Sequence, residues 1–148
     1  MRDYNDSMFL IETKVPEAEV IISRTDLKGI ITYANHIFCE ISGYDDHELI
    51  GKPHSIVRHP DMPKAVFKEL WESLKKTGKW EGYVKNLRKD NGYYWVYASI
   101  NGIYKDGKLI EYKSLRRPIS FEEKVNAQIR YDNMKKELGE PIRHIEYR

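Results

Sequence analysis

The sequence predicts an α+β domain, one five-stranded antiparallel sheet with helices over one face and a further helix at the C-terminus. Three observations predict it. β-Branched and aromatic residues concentrate in two blocks, residues 19–34 and 80–116, separated by a stretch with helical periodicity. Residues that tolerate positive φ divide each block into runs of strand length: Asp26-Leu27-Lys28-Gly29 in the first, Asp90-Asn91-Gly92 and Asp106-Gly107 in the second. The 148-residue chain is also long enough for one core and too short for two ordinary domains.

Taken in order, Glu19 to Arg24 carries Val20, Ile21 and Ile22, and Gly29 to Ala34 carries Ile30, Ile31 and Tyr33, two strands joined by a tight turn. Short helical turns follow at Asn35 to Ile41 and Asp45 to Ile50, on either side of the Ser42-Gly43-Tyr44 break. Residues 51–62 read as an irregular connector. The clearest helix runs from Pro63 to Thr77, with proline tolerated in its first turn and Gly78 at its C-cap, and it places Phe67, Leu70, Trp71 and Leu74 on one face. Trp80 to Arg88, Tyr93 to Tyr104 and Lys108 to Arg116 then form a three-strand meander. Ser120-Phe121-Glu122-Glu123 is a capping box that opens a helix to about Leu138, before Gly139 and Pro141. Its apolar residues fall in two partial stripes, Phe121, Val125 and Ile129, then Tyr131, Met134 and Leu138, and neither sustains a heptad. The organisation expected is an N-terminal cap segment (1–18), a single α+β domain (19–118) and a C-terminal helix with a tail (119–148).

Composition narrows the function classes. Twenty-five Lys and Arg against 23 Asp and Glu leave a net charge of +2, too small an excess to point to nucleic acid. The run Lys75, Lys76, Lys79, Lys85, Arg88, Lys89 is mixed with the acidic residues Glu72, Glu81 and Asp90 and reads as a solvated face. The longest stretch without a charged residue, Asn91 to Tyr104, is 14 residues, short of a spanning helix, and the N-terminus lacks a secretory pattern, so a cytoplasmic location is expected. The single cysteine, Cys39, permits no internal disulfide. No Gly-rich phosphate loop, G-x-S-x-G or H-E-x-x-H occurs, which leaves an enzyme with little support.

The densest cluster of chemistry is Gly51-Lys52-Pro53-His54-Ser55-Ile56-Val57-Arg58-His59-Pro60-Asp61-Met62-Pro63. Its prolines restrict the backbone and lower the entropy cost of holding polar groups in place. Arg58 could pair bidentately with a phosphate, and His59 could hydrogen-bond or stack on a planar ring. The plainer alternative is a surface loop in which Asp61 caps the next helix. His54 and His59 have no third metal ligand at a recognisable spacing. Phe67 and Trp71 fit a core, Asn86 is either an amide facing a ring edge or a solvated strand position, and Asn35 can be a helix cap.

Three segments carry a family resemblance: Asn35 to Tyr44 (N-H-I-F-C-E-I-S-G-Y), Glu48 to Pro63 (E-L-I-G-K-P-H-S-I-V-R-H-P-D-M-P) and Trp80 to Val96 (W-E-G-Y-V-K-N-L-R-K-D-N-G-Y-Y-W-V). Over residues 19–118 the chain resembles a PAS domain, and more narrowly the flavin-binding PAS domain of Aer-type energy-taxis receptors, for which V-R-H-P-D-M-P is the specific part. The resemblance implies a PAS sheet binding FAD noncovalently as a redox sensor. It implies that Arg58, His59 and Asp61 belong to the segment needed for FAD, that Asn35 and Asn86 are polar contacts to it, and that Phe67 and Trp71 flank the flavin.

Light-sensing LOV relatives carry Asn-Cys-Arg where this chain has Pro53-His54-Ser55, so no cysteine photoadduct is expected. Leu87 stands where the Aer pattern has a basic residue, and Asp90-Asn91-Gly92 shifts its Asn-Gly turn. The chain is also similar to the separate PAS subunit of a split receptor, CetB-like, which implies a membrane-anchored chemotaxis signalling partner. A cofactor-free PAS interaction module, with helix 120–138 making a homodimer, is the alternative, and a haem sensor would need His54 or His59 as axial ligand.

Overall fold

The computed structural model describes residues 11–141. Five antiparallel strands form one sheet in the order β2-β1-β5-β4-β3: β1 Ile21–Thr25, β2 Ile31–Ala34, β3 Lys79–Leu87, β4 Tyr93–Lys105 and β5 Lys108–Arg117. The last strand thus lies at the centre, between β1 of the first hairpin and β4. Helices α1 (His36–Ser42), α2 (Asp46–Leu49) and α3 (Lys64–Thr77), with a 3-10 turn at His54–Val57, connect β2 to β3 across one face. Helix α4 (Phe121–Glu137) follows β5.

The turns form for local reasons. Asp26 Oδ1 accepts from the Lys28 and Ile30 amides at 2.9 and 3.0 Å, and Gly29 takes φ +88° to close the first hairpin. A Cβ on Gly29 would also come within 3.2 Å of the Trp71 indole, so turn and helix both need the glycine. Between β3 and β4, Asp90 Oδ1 accepts from the Gly92 amide at 2.9 Å and Asn91 sits at φ 69°. Asn35 caps α1 by accepting from the Phe38 amide at 3.1 Å, and the same oxygen accepts from Ile22 N while its amide donates to Val20 O, tying α1 to β1.

Element boundaries shift by a residue or two from the sequence expectation. Helix α3 starts at Lys64 with Pro63 as its N-cap, and the connector read as irregular contains the 3-10 turn. The capping box of α4 is complete: Ser120 Oγ accepts from the Glu123 amide and Glu123 Oε1 from the Ser120 amide, each at 3.1 Å.

Two faces divide the sheet's work. Strand alternation sends Val84 and Asn86 of β3 toward α3 and the opposite set, Tyr83 and Lys85, toward α4. Against this outer face Tyr131 stacks on Trp95 at 6.3 Å and donates to the Tyr83 carbonyl at 2.6 Å. The connector after Arg58 runs along the free edge of β3, through an Arg58–Asn86 bridge and a Lys85 N–Met62 Sδ contact of 3.4 Å, which covers that edge. Among the described residues no helix is long and apolar enough to cross a membrane.

One sequence expectation is corrected on the outer face. Lys85, expected on a solvated face, is 3% exposed. Helix α4 buries Gln128, Asp132 and Lys135 with Ala127 and Tyr131, while Phe121, Ile129 and Leu138 of the apolar stripes are exposed. The physical reason is pairing. Lys135 Nζ meets Asp61 at 3.1 Å, Lys85 Nζ lies 4.0 Å from Asp61 and donates to Gln128 at 3.3 Å, and Gln128 donates to Asp132 at 3.1 Å. Buried charge is tolerated where it is paired and hydrogen-bonded.

Candidate functional site

Between the inner face of the sheet and α3 lies a cavity of about 340 Å³. That falls within the range of about 300–1,000 Å³ typical of small-molecule sites. Its cover is the α3 face the sequence picked out, Phe67, Leu70, Trp71 and Leu74. Its floor alternates along three strands: Trp80, Val84 and Asn86 of β3, Ala98 and Ile100 of β4, and Tyr112, Ser114 and Arg116 of β5. Ser23 and Thr25 of β1 extend the floor, and Lys28, Gly29, Pro53, His54, Ser55 and Arg58 form the remaining wall. The lining is thus an apolar slab of aliphatic and aromatic groups with polar groups converging beside it. Trp71 is fixed edge-on to Tyr112 at 6.2 Å between ring centres.

The polar groups centre on Arg116, 2% exposed. Its guanidinium donates to Ser23 Oγ at 2.6 Å, contacts His54 Nε2 at 3.2 Å and lies 4.3 Å from the Phe38 ring centre. Burial lowers the Arg116 pKa to about 10. His54 stacks on Phe38, and burial together with the neighbouring Arg116 charge pushes its imidazole down to about 3. Neutral His54 therefore accepts through Nε2 and carries its proton on Nδ1. Tyr94, wholly buried, is pushed up to about 12 by burial, against lowering pulls from Arg116 and Asn86.

A pH dependence follows from His54. Unfolded, it takes up a proton near pH 6.5; folded, it stays neutral to about pH 3. Between those values the unfolded chain binds more protons, so stability falls as pH is lowered from about 6.5. Thermal midpoints measured from pH 8 to pH 5 are expected to decline in the lower half of that range, and His54→Asn is expected to flatten the decline. An equally steep decline in that variant would contradict the assignment.

The cavity gathers four of the seven residues the resemblance put at a cofactor. Arg58, Phe67, Trp71 and Asn86 line it, with the Arg58 guanidinium stacked 3.8 Å from the Phe67 ring centre and Asn86 only 4% exposed. Asn35, His59 and Asp61 lie outside its lining. Asn35 is the α1 cap. His59, wholly buried, accepts from the Asp61 amide through Nδ1 at 3.0 Å and meets Tyr93 edge-on. Asp61 is the carboxylate between Lys85 and Lys135, and the N-cap position of α3 is held by Pro63. Cys39, in α1, is not part of the lining.

Sequence reasoning missed Arg116, Ser23 and Trp80 as lining residues. A signal for Arg116 was present: Tyr112, Ser114 and Arg116 alternate with Lys113, Leu115 and Arg117, so an inward Tyr112 makes Arg116 inward as well.

Comparison with known proteins agrees with this architecture. Over 111 residues the chain is 45% identical to the Aerotaxis receptor of Escherichia coli, a match that covers 75% of this chain and 22% of the receptor, so the chain spans about a fifth of that relative's length. The solved PAS domain of a Colwellia psychrerythraea protein is 26% identical with TM-score 0.62, covering 68% of this chain and 86% of that one. A solved light-oxygen-voltage domain studied with a flavin analogue superposes with TM-score 0.67 at 19% identity, over 81% of this chain and 90% of that one, a likeness of fold. Residues 31–116 match the family described as PAS fold. On that match, and on the sheet order and helical cover described above, the chain belongs to the PAS fold family.

Proposed function

We propose that this protein is a redox sensor of energy taxis, in which FAD is held noncovalently in the cavity under α3 and its redox state changes how the protein engages a membrane-anchored chemotaxis signalling partner. The observation that carries the reading is the lining itself. A slab of Leu70, Trp71, Leu74, Val84 and Ile100 suits a planar aromatic ring, and Asn86, His54 and Arg116 beside it suit a polar ring edge. Arg116 Nε, buried and without a hydrogen-bond partner among the described residues, is a donor such an edge would satisfy. Arg58 and Lys28 on the wall are cations suited to the phosphates of FAD. The identity to an aerotaxis receptor supports the sensory setting.

Asn35, His59 and Asp61 support the site from outside it in this reading. Asn35 locks α1 to β1, and the His59–Asp61 segment holds Arg58 in place along the edge of β3. Bound flavin supplies reversible electron uptake, with a change of charge and hydrogen-bonding pattern at its ring.

The chain's own groups answer such a change. Asn86 can present either its carbonyl or its amide by rotating, and a mismatch left unanswered in a buried site costs about 1–3 kcal/mol. That is the scale of a typical allosteric coupling, about 1–3 kcal/mol. Asn86 is followed back along β3 by Lys85, and Arg58 is followed along the connector by Asp61; Lys85 and Asp61 both face α4. A shift at the inner face thus has a short covalent route to the outer one, and altered docking of α4 or of the sheet is the output.

The test is native purification, a visible spectrum, and chromatography of the released chromophore. The expected result is intact FAD. A Soret band would replace flavin with haem, and a colourless protein that cannot be reconstituted with flavin would leave a cofactor-free interaction module.

A further inference from the structure

We propose that Arg116 makes the cavity discriminate between redox forms of its ligand, holding negatively charged reduced flavin more tightly than neutral oxidised flavin. This rests on the flavin reading above and adds a property that reading does not require, a potential set upward by one buried cation.

Elsewhere in this chain buried cations are paired with a carboxylate. On the outer face Lys85 and Lys135 are 3% and 1% exposed, and both have Asp61 within 4.0 Å. On the inner face Arg116 is as deeply buried, yet its hydrogen bonds go to the Ser23 hydroxyl and to His54, and its ring contact is with Phe38. Among the described residues no Asp or Glu lines the cavity. His54, neutral and accepting through Nε2, orients the guanidinium but supplies no charge. A buried cation without a counter-charge is costly unless something of opposite sign arrives. The place for it is the cavity that Arg116 lines, toward which the lining also offers Arg58 and Lys28.

Oxidised flavin takes two electrons from an external chemical reductant, dithionite in the test, and one proton from solvent, and the product carries one negative charge. Arg116 stays protonated throughout and gives up nothing. Its contribution is a charge near the ring that favours the anionic product, one of the ways in which a protein tunes a flavin. Tighter binding of the reduced form raises the potential by linkage.

Two measurements on the flavin-loaded protein decide it. First, potentials are determined by anaerobic equilibration with a reference dye for wild type, Arg116→Met and Arg116→Lys. The methionine variant is expected to lose about 100-fold of the preference for reduced flavin, about 60 mV at two electrons, and the lysine variant to keep most of it. A methionine variant within about threefold of wild type overturns the proposal. Second, the wild-type potential is followed against pH, which needs no variant to fold. If the reduced form stays anionic, one proton accompanies two electrons and the slope is about 30 mV per pH unit from pH 8 down to pH 5.5. A slope that doubles below neutrality means that the reduced form is neutral there and overturns the proposal. Wild-type protein that takes up no flavin is a different result: it sinks the flavin reading, and this proposal with it.

Discussion

Asp61→Ala is expected to cost about 3–5 kcal/mol of fold stability, about 10 °C or more in thermal midpoint, and to free α4 from the sheet. The carboxylate is 2% exposed and faces two buried ammonium groups, Lys135 at 3.1 Å and Lys85 at 4.0 Å. Removing it leaves both cations in a low-dielectric site, and burial already pulls the Lys85 pKa down to about 8 with Asp61 present. Lys135→Met is expected to cost less, because the stem still packs and Asp61 keeps Lys85 as partner. Denaturant titrations measure the loss, and limited proteolysis between residues 119 and 141 reports the release of α4. A midpoint within 1 °C of wild type for Asp61→Ala would show that the pair carries no such load. The variant is also expected to lose flavin, by loosening the connector that positions Arg58. A stabilising osmolyte that restores the fold should therefore restore flavin as well.

Ala98→Trp should give the opposite pattern, a stable fold with no flavin. Ala98 is 2% exposed on β4 and lines the cavity floor. Overpacking a filled core usually costs about 1–3 kcal/mol, but here the added ring has about 340 Å³ of space to enter. The thermal midpoint is expected to stay within a few degrees of the apo wild type, while FAD affinity falls at least about 100-fold, and osmolyte should not rescue it. Stoichiometric flavin in the purified variant would mean that the ligand sits elsewhere.

The contrast between these variants follows what was and was not legible in the sequence. Strands and turns were readable because each is a local decision: β-branched runs, Asp26 and Gly29 closing one hairpin, Asp106 and Gly107 at positive φ closing another. The cover of the cavity was readable for the same reason, since Phe67, Leu70, Trp71 and Leu74 recur at helical spacing. The polar face of α4 was not. Gln128 and Lys135 look like solvent-facing residues until their partners, 43 and 74 positions away, are folded beside them. Asp61 was legible only in part: the family resemblance places it in the segment needed for FAD, but its pairing with Lys85 of β3 and Lys135 of α4 depends on residues distant in sequence. Leu87, which stands where the Aer pattern has a basic residue, is wholly buried at the end of the edge strand β3. Arg116 was hidden by its neighbour, because one residue further on Arg117 is exposed and pairs with Glu123 at 3.6 Å.

In the proposed function, the redox state of a flavin in the cavity reaches α4 through β3 and the connector. Amide hydrogen exchange on the FAD-loaded protein, oxidised and then reduced with dithionite under argon, tests it most directly. The account predicts a reproducible change in protection along residues 121–137 and in the segments around Arg58–Met62 and Lys85–Leu87, with no such change in Ala98→Trp treated identically. Identical protection of α4 in the two redox states of the loaded protein would contradict it.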